Sequence, residues 1–412
     1  TIAVADGRFE ATGNPVRVAA GRPDRLLLWG DLHGHTLHSD GRGTVEEYYD
    51  FAQRFSGLDF AAVSDHAFQL VDAMWEDSKR ITNRFNQPGR FVTFNAFEWS
   101  GTSDVGGDHN VYWPAPDRPI FRSCHALIPD KSTVASDRYP VERLYEELRA
   151  RGGIAIPHVG GRRADLARHD PEVVPLVEIY SAWGQFEWML TESLALGHRV
   201  GVVAGSDGHK GRPGASYPGA SQFGAYGGLT GIIAEELTPE AIFAALRARS
   251  CYATTGQRMV LRVQLDGHPM GSELHANGPV TLTCHVAGTT GIRAVEVLRM
   301  PLPPVGRASS PPAVEVVHVH DPLANAPLSD DLVRVVWSGA RILGRDRATV
   351  WDGRIDVEGA SIEEAVGYAF DGPQEGLTEV TGSSVAWESI TTGDEDGVTL
   401  RLSSVEGARL RF

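Results

Sequence analysis

The stretch from Gly30 to Gly41 concentrates residue types that bind metal ions: three histidines and two aspartates fall within twelve residues. It follows the apolar run 26–29, which predicts a buried strand. Because side chains alternate along a strand, a strand that ends in His33-x-His35 turns both imidazoles to the same side. Two such imidazoles form half of a transition-metal site. The motif alone is equally compatible with a His-rich surface turn.

Similar strand endings recur along the first 255 residues. Short apolar runs alternate with amphipathic helical patterns, one of which opens with the capping box Thr44–Glu47. This alternation predicts a parallel sheet of βα units, whose strand C-termini carry the chemistry in α/β barrels. After 33 and 35, the ligand-type residues at or after strand ends are Asp40, His66, Glu98, His109, His158, Glu178, Asp207 and His209.

The character of the sequence changes near Gly256. Helical patterns fade, and short alternating runs such as 260–265, 280–286, 294–298 and 398–402 follow one another between turn residues, with loops at 301–312 and 371–377. This pattern is typical of an antiparallel β-sandwich. We therefore expect a (β/α) barrel over residues 1–255 and a β-sandwich-like accessory domain over residues 256–412.

Bulk composition narrows the classes of partner. The 412 residues carry a net charge of -15, which argues against a broad basic face for nucleic acid. The three cysteines are too few and too widely spaced for a disulfide framework, so we expect a cytoplasmic protein, with a removed leader peptide left open. No apolar run reaches the ~20 residues of a membrane span. A homo-oligomer remains open.

The order and spacing of the motifs along residues 26–210 resemble the PHP family, named for polymerase and histidinol phosphatase. The carrying motifs are Asp31-Leu32-His33-Gly34-His35-Thr36, Ser39-Asp40-Gly41, Ser64-Asp65-His66 and Asp207-Gly208-His209. The resemblance implies a distorted (β/α)7 barrel that holds two or three divalent metal ions, zinc, manganese or iron. It implies nine ligands: His33, His35, Asp40, His66, Glu98 (bridging two ions), His109, His158, Asp207 and His209. His109 is the least defined of these, because Asp108 is adjacent.

The resemblance also implies a metal-dependent hydrolase, most simply a phosphoesterase that uses a metal-bridging hydroxide as nucleophile. Asp207, His209 and Arg162 are the expected catalytic residues, the first two as candidates to protonate the leaving group. Asp31 and Asp65 are expected to orient histidine ligands by accepting their second ring N–H, and Glu178 is an open candidate. A hydrolase of carboxyl esters, lactones or amides is the first alternative, and a non-catalytic metal-binding or structural module is the second.

The substrate residues are the least determined part of the sequence interpretation. Basic side chains that follow the motifs favour a small anionic substrate, although solvated loop charges would give the same pattern. Aromatic residues near strand ends would line a pocket or, equally, pack between the domains. The candidates are Arg163, Lys210, Trp99 and Trp183.

Overall fold

The structure is a computed structural model that describes residues 3–5, 10–16, 18, 20–215, 227–304, 313–321, 331–340, 348–370 and 372–412. Residues 305–312 and 371 of the predicted loops lie outside the described residues. The elements of the first part of the chain are β1 (Ala3–Ala5), β2 (Glu10–Thr12), β3 (Leu26–Asp31), α1 (Val45–Arg54), β4 (Phe60–Val63), α2 (Asp72–Phe85), β5 (Val92–Ser100), β6 (Asp108–Tyr112), α3 (Val141–Arg151), β7 (Ile154–Pro157), β8 (Leu176–Ser181), β9 (Gly184–Gln185), α4 (Trp188–Ala195), β10 (Gly201–Ala204), β11 (Leu229–Ala234), α5 (Pro239–Arg247) and β12 (Cys251–Thr254).

Seven of these strands form one curled sheet in the order β12-β11-β3-β4-β5-β6-β7. The sheet is mixed: β3, β4 and β5 are parallel, whereas β6 is antiparallel to both of its neighbours and β11 is antiparallel to β3 and β12. The uniform parallel βα repeat predicted from the sequence is therefore wrong at β6 and β11. Residues 101–107, which join β5 to β6, are too few for the crossover that a parallel neighbour needs.

The two edges of this sheet approach each other through a second, smaller sheet. Strands β8 and β10 pair in parallel, and β8 contacts β7 while β10 contacts β12. The enclosed core is apolar and includes Leu28, Phe60, Phe94, Ile156 and Ile232, all of them buried. The arrangement brings the C-terminal ends of β3, β4, β5 and β7 and the N-terminal end of the reversed strand β6 to the same rim.

Helix α1 illustrates how the sequence encodes the layer outside the sheet. The Thr44 side chain accepts from the Glu47 backbone N–H and the Glu47 side chain accepts from the Thr44 backbone N–H, which confirms the predicted capping box. Val45, Tyr48 and Tyr49 recur at helical spacing and are buried against the sheet. The helix thus covers the outer face of β3 and β4 and supports the loop that follows β3.

The rest of the chain is built from strands. They are β13 (Val260–Leu265), β14 (His268–Pro269), β15 (Leu282–Ala287), β16 (Val295–Arg299), β17 (Glu315–His320), β18 (Leu332–Ser338), β19 (Thr349–Val350), β20 (Gly353–Glu358), β21 (Ile362–Tyr368), β22 (Gly376–Val380), β23 (Ser384–Glu388), β24 (Ile390–Thr391), β25 (Glu395–Leu402) and β26 (Arg409–Arg411). The sheets β18-β25-β21 and β22-β23-β20-β26 enclose a common core that includes Ile355, Val385, Trp387, Val398 and Leu400. Among the described residues, no helix has the length and apolar character that crossing a bilayer requires.

Candidate metal centre

The His-x-His segment that follows β3 is fixed between two other strand ends. His35 donates its backbone N–H to Gly208 O (3.0 Å), and Ser64 donates to Gly34 O (2.9 Å). The glycine between the histidines is required by space, because a Cβ at Gly34 would lie 2.3 Å from Tyr48 Oη. Both imidazoles are fully buried and their ring centroids are 5.5 Å apart. The local sequence therefore holds two adjacent imidazoles on one side, as the spacing predicts.

Glu98, near the end of β5, is the centre of the histidine cluster. Its Oε2 lies 3.1 Å from His66 Nδ1, 3.3 Å from His35 Nε2 and 3.7 Å from His33 Nε2. Its Oε1 lies 3.7 Å from His158 Nε2. Burial alone would raise the pKa of Glu98, but the surrounding imidazoles hold it well below its ordinary value. One buried carboxylate thus faces four imidazoles.

Asp207 completes the first ligand group from the loop after β10. Its Oδ1 lies 3.0 Å from His35 Nε2 and 3.3 Å from His33 Nε2. Burial opposes ionisation of Asp207, yet the positive potential of His33 and His35 lowers its pKa. Its backbone is left-handed, with φ +46°, a conformation that aspartate tolerates better than most residues. The loop therefore places this carboxylate against both motif histidines.

The polar atoms of this group lie close together without hydrogen bonding. Among the described residues, His33 Nε2, His35 Nε2 and Asp207 Oδ1 are buried and have no hydrogen-bond partner, and neither has either ring nitrogen of His158. Buried polar atoms are nearly always paired, and leaving them unpaired costs about 1–3 kcal/mol each. His35 Nε2 and Asp207 Oδ1 are 3.0 Å apart without forming a hydrogen bond, which is how ligands are arranged around a shared ion. The residues present therefore fit a bound metal ion.

A second ligand group lies beside the first and opens to solvent. Asp40 Oδ1 is 3.4 Å from His209 Nε2, 3.5 Å from His66 Nε2 and 4.0 Å from His35 Nδ1. The rings of His35 and His209 are stacked at 4.3 Å. His209 Nδ1 faces the Asp207 carbonyl at 2.9 Å, which directs Nε2 toward Asp40. The Asp40 side chain is 49% exposed, so a substrate would reach the centre from this side.

A third group of possible ligand atoms comes from His33, His158 and Glu178. In this group Glu178 contacts a histidine ring nitrogen that faces away from the other ligand atoms. Glu178 Oε1 and Oε2 lie 3.0 and 3.1 Å from His33 Nδ1. A carboxylate that accepts the Nδ1 proton leaves Nε2 available to a metal and fixes the ring orientation. We therefore interpret Glu178 as the residue that orients His33.

Asp31 and Asp65 differ from the sequence expectation, because among the described residues neither accepts a ring N–H. Asp31 accepts the backbone N–H groups of His33 (3.2 Å), Ser206 (2.9 Å) and Gly214 (3.1 Å), so it joins three chain segments. Asp65 accepts from the Thr36 backbone (2.7 Å) and from the hydroxyls of Thr36 and Ser39. The two aspartates therefore orient the histidines through the backbone of the loops that carry them.

The structure does not bring His109 to this cluster. His109 stands opposite Trp99 in the β5–β6 register, and both side chains lie on the outer face of the sheet. Its Nε2 is 2.9 Å from Tyr145 Oη, and burial lowers its pKa to about 4. Asp108 is on the inner face instead, opposite Ser100, whose hydroxyl donates to Glu98. Side chains alternate along a strand, so His109 shares a face with the apolar residues Val111 and Trp113. This sequence signal would have placed His109 away from the metal ligands.

Asp108 also defines the position of Arg162, a predicted catalytic residue. Asp108 Oδ2 accepts the Arg162 backbone N–H at 2.8 Å, and Oδ1 lies 3.3 Å from Nη1. Burial and the nearby charge of Glu98 raise the pKa of Asp108 to about 7. The guanidinium lies 5.2 Å from the Phe68 ring centroid, and that ring is 5.1 Å from the ring of His66. Arg162 therefore lies at the edge of the centre.

The predicted substrate residues are spread over different environments. Arg163 is paired with Glu192 and lies 4.4 Å from the Trp188 ring centroid, and Lys210 is exposed. Trp99 is fully buried in the core under α3, where its indole donates to Arg138 O at 2.8 Å. Trp183 is half-buried and packs beside Phe186. Arg162 is thus the predicted basic residue whose contacts place it beside the centre, and Trp99 belongs to the core.

The chain is similar to several proteins of unassigned activity. A family model described as "Protein of unknown function (DUF3604)" matches residues 68–161 and 209–283. An uncharacterised protein of Chlamydia pneumoniae is 28% identical over 310 residues, and those of Chlamydia trachomatis and Chlamydia muridarum are 26% and 25% identical over 310 and 315 residues. Each alignment covers 66% of this chain and 47% of the relative. The chain thus spans about half the length of the curated relatives it matches.

Two solved structures are similar over part of the fold. One is a two-domain protein of Bacteroides vulgatus described as containing a predicted PHP-like metal-dependent phosphoesterase, with a TM-score of 0.40 and 14% identity, covering 69% of this chain and 94% of that one. The other is Endonuclease Q in complex with a DNA duplex that carries an abasic lesion, with a TM-score of 0.36 and 13% identity, covering 54% and 57%. The family-model match contains Glu98, Asp108 and His158 and resumes at His209.

Proposed function

We propose that this chain is a metal-dependent hydrolase whose centre holds two divalent ions. The observation that carries the proposal is the convergence of buried, unpaired imidazole nitrogens and carboxylate oxygens around Glu98. One ion would be held by His33, His35, Glu98, His158 and Asp207, and the other by Asp40, His66 and His209, with His35 and Glu98 near both. Imidazole with carboxylate suits zinc, manganese or iron.

The ions would supply the reactive chemistry, and the side chains of the protein would hold the ions and the substrate in place. Bound divalent ions would lower the pKa of water to about 7 and stabilise negative charge that develops on a substrate. The protein's own contribution is positional: Glu178 orients His33, and Asp31 and Asp65 fix the loops. Arg162 would bind an anionic oxygen of the substrate at the solvent-facing side, and its geometry there is set by Asp108.

A phosphoester is the first substrate class, since an arginine beside two cations suits a phosphoryl group. A carboxyl ester, lactone or amide is the second, and one observation favours keeping it. The Arg162 and Arg163 guanidinium groups already have carboxylate partners, Asp108 and Glu192, so the positive charge offered to a phosphate is reduced.

The test compares nitrophenol release from a phosphomonoester, a phosphodiester and a carboxyl ester, each with added manganese or zinc. The control is the double variant His33→Ala/His35→Ala, with metal content measured in parallel. Metal-dependent turnover of a phosphoester that the control loses supports the first class, and turnover of the carboxyl ester alone supports the second. Failure of the wild-type protein to bind metal would contradict the proposal itself.

A further inference from the structure

A large cavity lies away from the metal centre. It measures about 1200 Å³ and lies between the outer face of β3 and one face of the β13–β15 sheet. Leu27 and Trp29 form its wall on the barrel side, and Val260, Gln264 and Thr283 contribute to the opposite wall. The volume exceeds the range of roughly 300–1,000 Å³ that is typical of small-molecule pockets. The cavity is therefore large enough for a ligand of several rings.

Its charged lining is all of one sign. Three arginines and a histidine line it, Arg25, Arg258, Arg262 and His285, and no described aspartate or glutamate does. The chain as a whole has 53 acidic and only 38 lysine and arginine side chains, so a cavity lined by arginines and no acids is opposite in charge to the protein overall. Arg262 and His285 are paired across β13 and β15 and therefore share one face of that sheet. Like charges that converge without acids favour an anionic occupant.

Two of these arginines are available to a ligand. Arg258 is committed, because its guanidinium donates to the backbone oxygens of Ser56 and Gly57. Within the described part of the chain, no hydrogen bond or ion pair joins Arg25 or Arg262 to another side chain. A smaller cavity of about 510 Å³, which is also lined by Arg22 and Asp24, shares both arginines, so they lie where the two cavities meet. Their positions suit an anionic head group whose body lies against Trp29.

The cavity is separate from the proposed active site. It contacts Leu26, Leu27 and Trp29 in β3, whereas the metal-binding histidines follow the opposite end of that strand. Trp29 is the wall residue nearest to His33 along this strand, four positions before it, which corresponds to roughly 13 Å of extended chain. The side chains of Leu27 and Trp29 also pack outside the barrel core. A molecule in this cavity would not contact the hydrolytic centre.

We propose that this cavity is a second binding site, for a small organic anion with an apolar, flat body. Arg25 and Arg262 bind the carboxylate or phosphate head group, and Trp29, Leu27 and Val260 contact the body. The commitment to a small molecule rests on the charge complementarity and on the cavity volume. The proposal does not depend on the hydrolase activity.

Isothermal titration calorimetry with the full chain tests the site, using 1-naphthoate, 1-naphthylphosphonate and neutral 1-naphthylmethanol. We expect one site for at least one anion and at least tenfold weaker binding of the alcohol, and the ratio of the two anions identifies the preferred head group. Arg262→Gln and Arg25→Gln should each weaken the anion about tenfold. Arg299→Gln, on the exposed ribbon β16–β17, and His33→Ala/His35→Ala should leave it unchanged.

Circular dichroism confirms that each variant is folded before titration. Equal binding of the alcohol and the anions would overturn the proposal, as would binding that survives both arginine substitutions. Absence of binding by every probe would also overturn it, and would indicate that polypeptide fills this space. Loss of binding in the His33→Ala/His35→Ala variant would place the anion at the metal centre instead.

Discussion

His33 Nδ1 lies 3.0 Å from Glu178 Oε1, while His33 Nε2 is 3.3 Å from Asp207 and has no hydrogen-bond partner in the described structure. The two nitrogens of the His33 ring thus have different surroundings. We expect the nitrogen that faces Glu178 to carry the proton when a metal ion is bound at the other. Glu178, which is 145 positions away in sequence, would then select the tautomer of the first motif histidine.

Glu178→Gln should weaken metal binding about 10–100-fold, because the amide replaces the charged acceptor that orients His33. Competition with a fluorescent chelator measures the affinity, and Glu172→Gln, an exposed glutamate in the preceding loop, is the matched control. An unchanged affinity in Glu178→Gln would contradict the assigned role.

His158→Gln and His109→Gln should separate the two faces of the sheet. His158 faces Glu98, so its loss should reduce bound metal per chain or weaken the affinity. His109 faces Tyr145 on the outer side, so its loss should lower the free energy of unfolding by about 1–2 kcal/mol and leave metal content intact. Elemental analysis and urea unfolding of both variants test this. Loss of metal in His109→Gln alone would restore the original sequence assignment.

Asp31→Ala should destabilise the fold by about 3 kcal/mol, because three backbone N–H groups, two of them in buried hydrogen bonds, lose their acceptor. Urea unfolding with and without added metal measures the change. Asp24→Ala, at an exposed position just before β3, should change stability by less than about 0.5 kcal/mol. A similar small effect in Asp31→Ala would show that the three segments are held by other contacts.

Tyr48→Phe and Tyr49→Phe form a matched pair on α1. The Tyr48 hydroxyl is buried without a partner in the described structure, so its removal should be neutral or stabilise by up to about 1 kcal/mol. The Tyr49 hydroxyl bonds Thr82 Oγ1 (3.0 Å) and accepts from Val63 N (3.3 Å), so its removal should cost about 1–2 kcal/mol. Thermal melts of both variants give the comparison, and equal effects would refute it.

Asp396 in β25 should make stability depend on pH. Burial, and then the charges of Glu375 and Asp394, raise its pKa to about 7. The folded pKa lies above the unfolded value of about 4, so the folded state favours the neutral acid. This group therefore destabilises the fold above pH 7, and the effect disappears as the pH falls from 7 to 4. Asp396→Asn should be more stable than wild type at pH 8, with a smaller difference at pH 5, by urea unfolding.

The sequence by itself determined most of the first ligand group and the local elements that carry it. Strand alternation placed His33 and His35 on one side, and the capping box positioned α1, because both depend on neighbours within a few residues. The strand-end positions of Glu98 and Asp207 followed from the apolar runs before them. The change to β structure after residue 256 was also readable from alternation.

Only the tertiary structure decided which side chains meet across the sheet. The reversal of β6 placed Asp108 rather than His109 on the inner face, and Asp108 then fixed Arg162. Glu178 contacts His33, and Asp31 accepts hydrogen bonds from the Ser206 segment. Both interactions join residues more than a hundred positions apart. Strand direction and long-range pairing depend on how the whole sheet closes, and local residue patterns do not encode that closure.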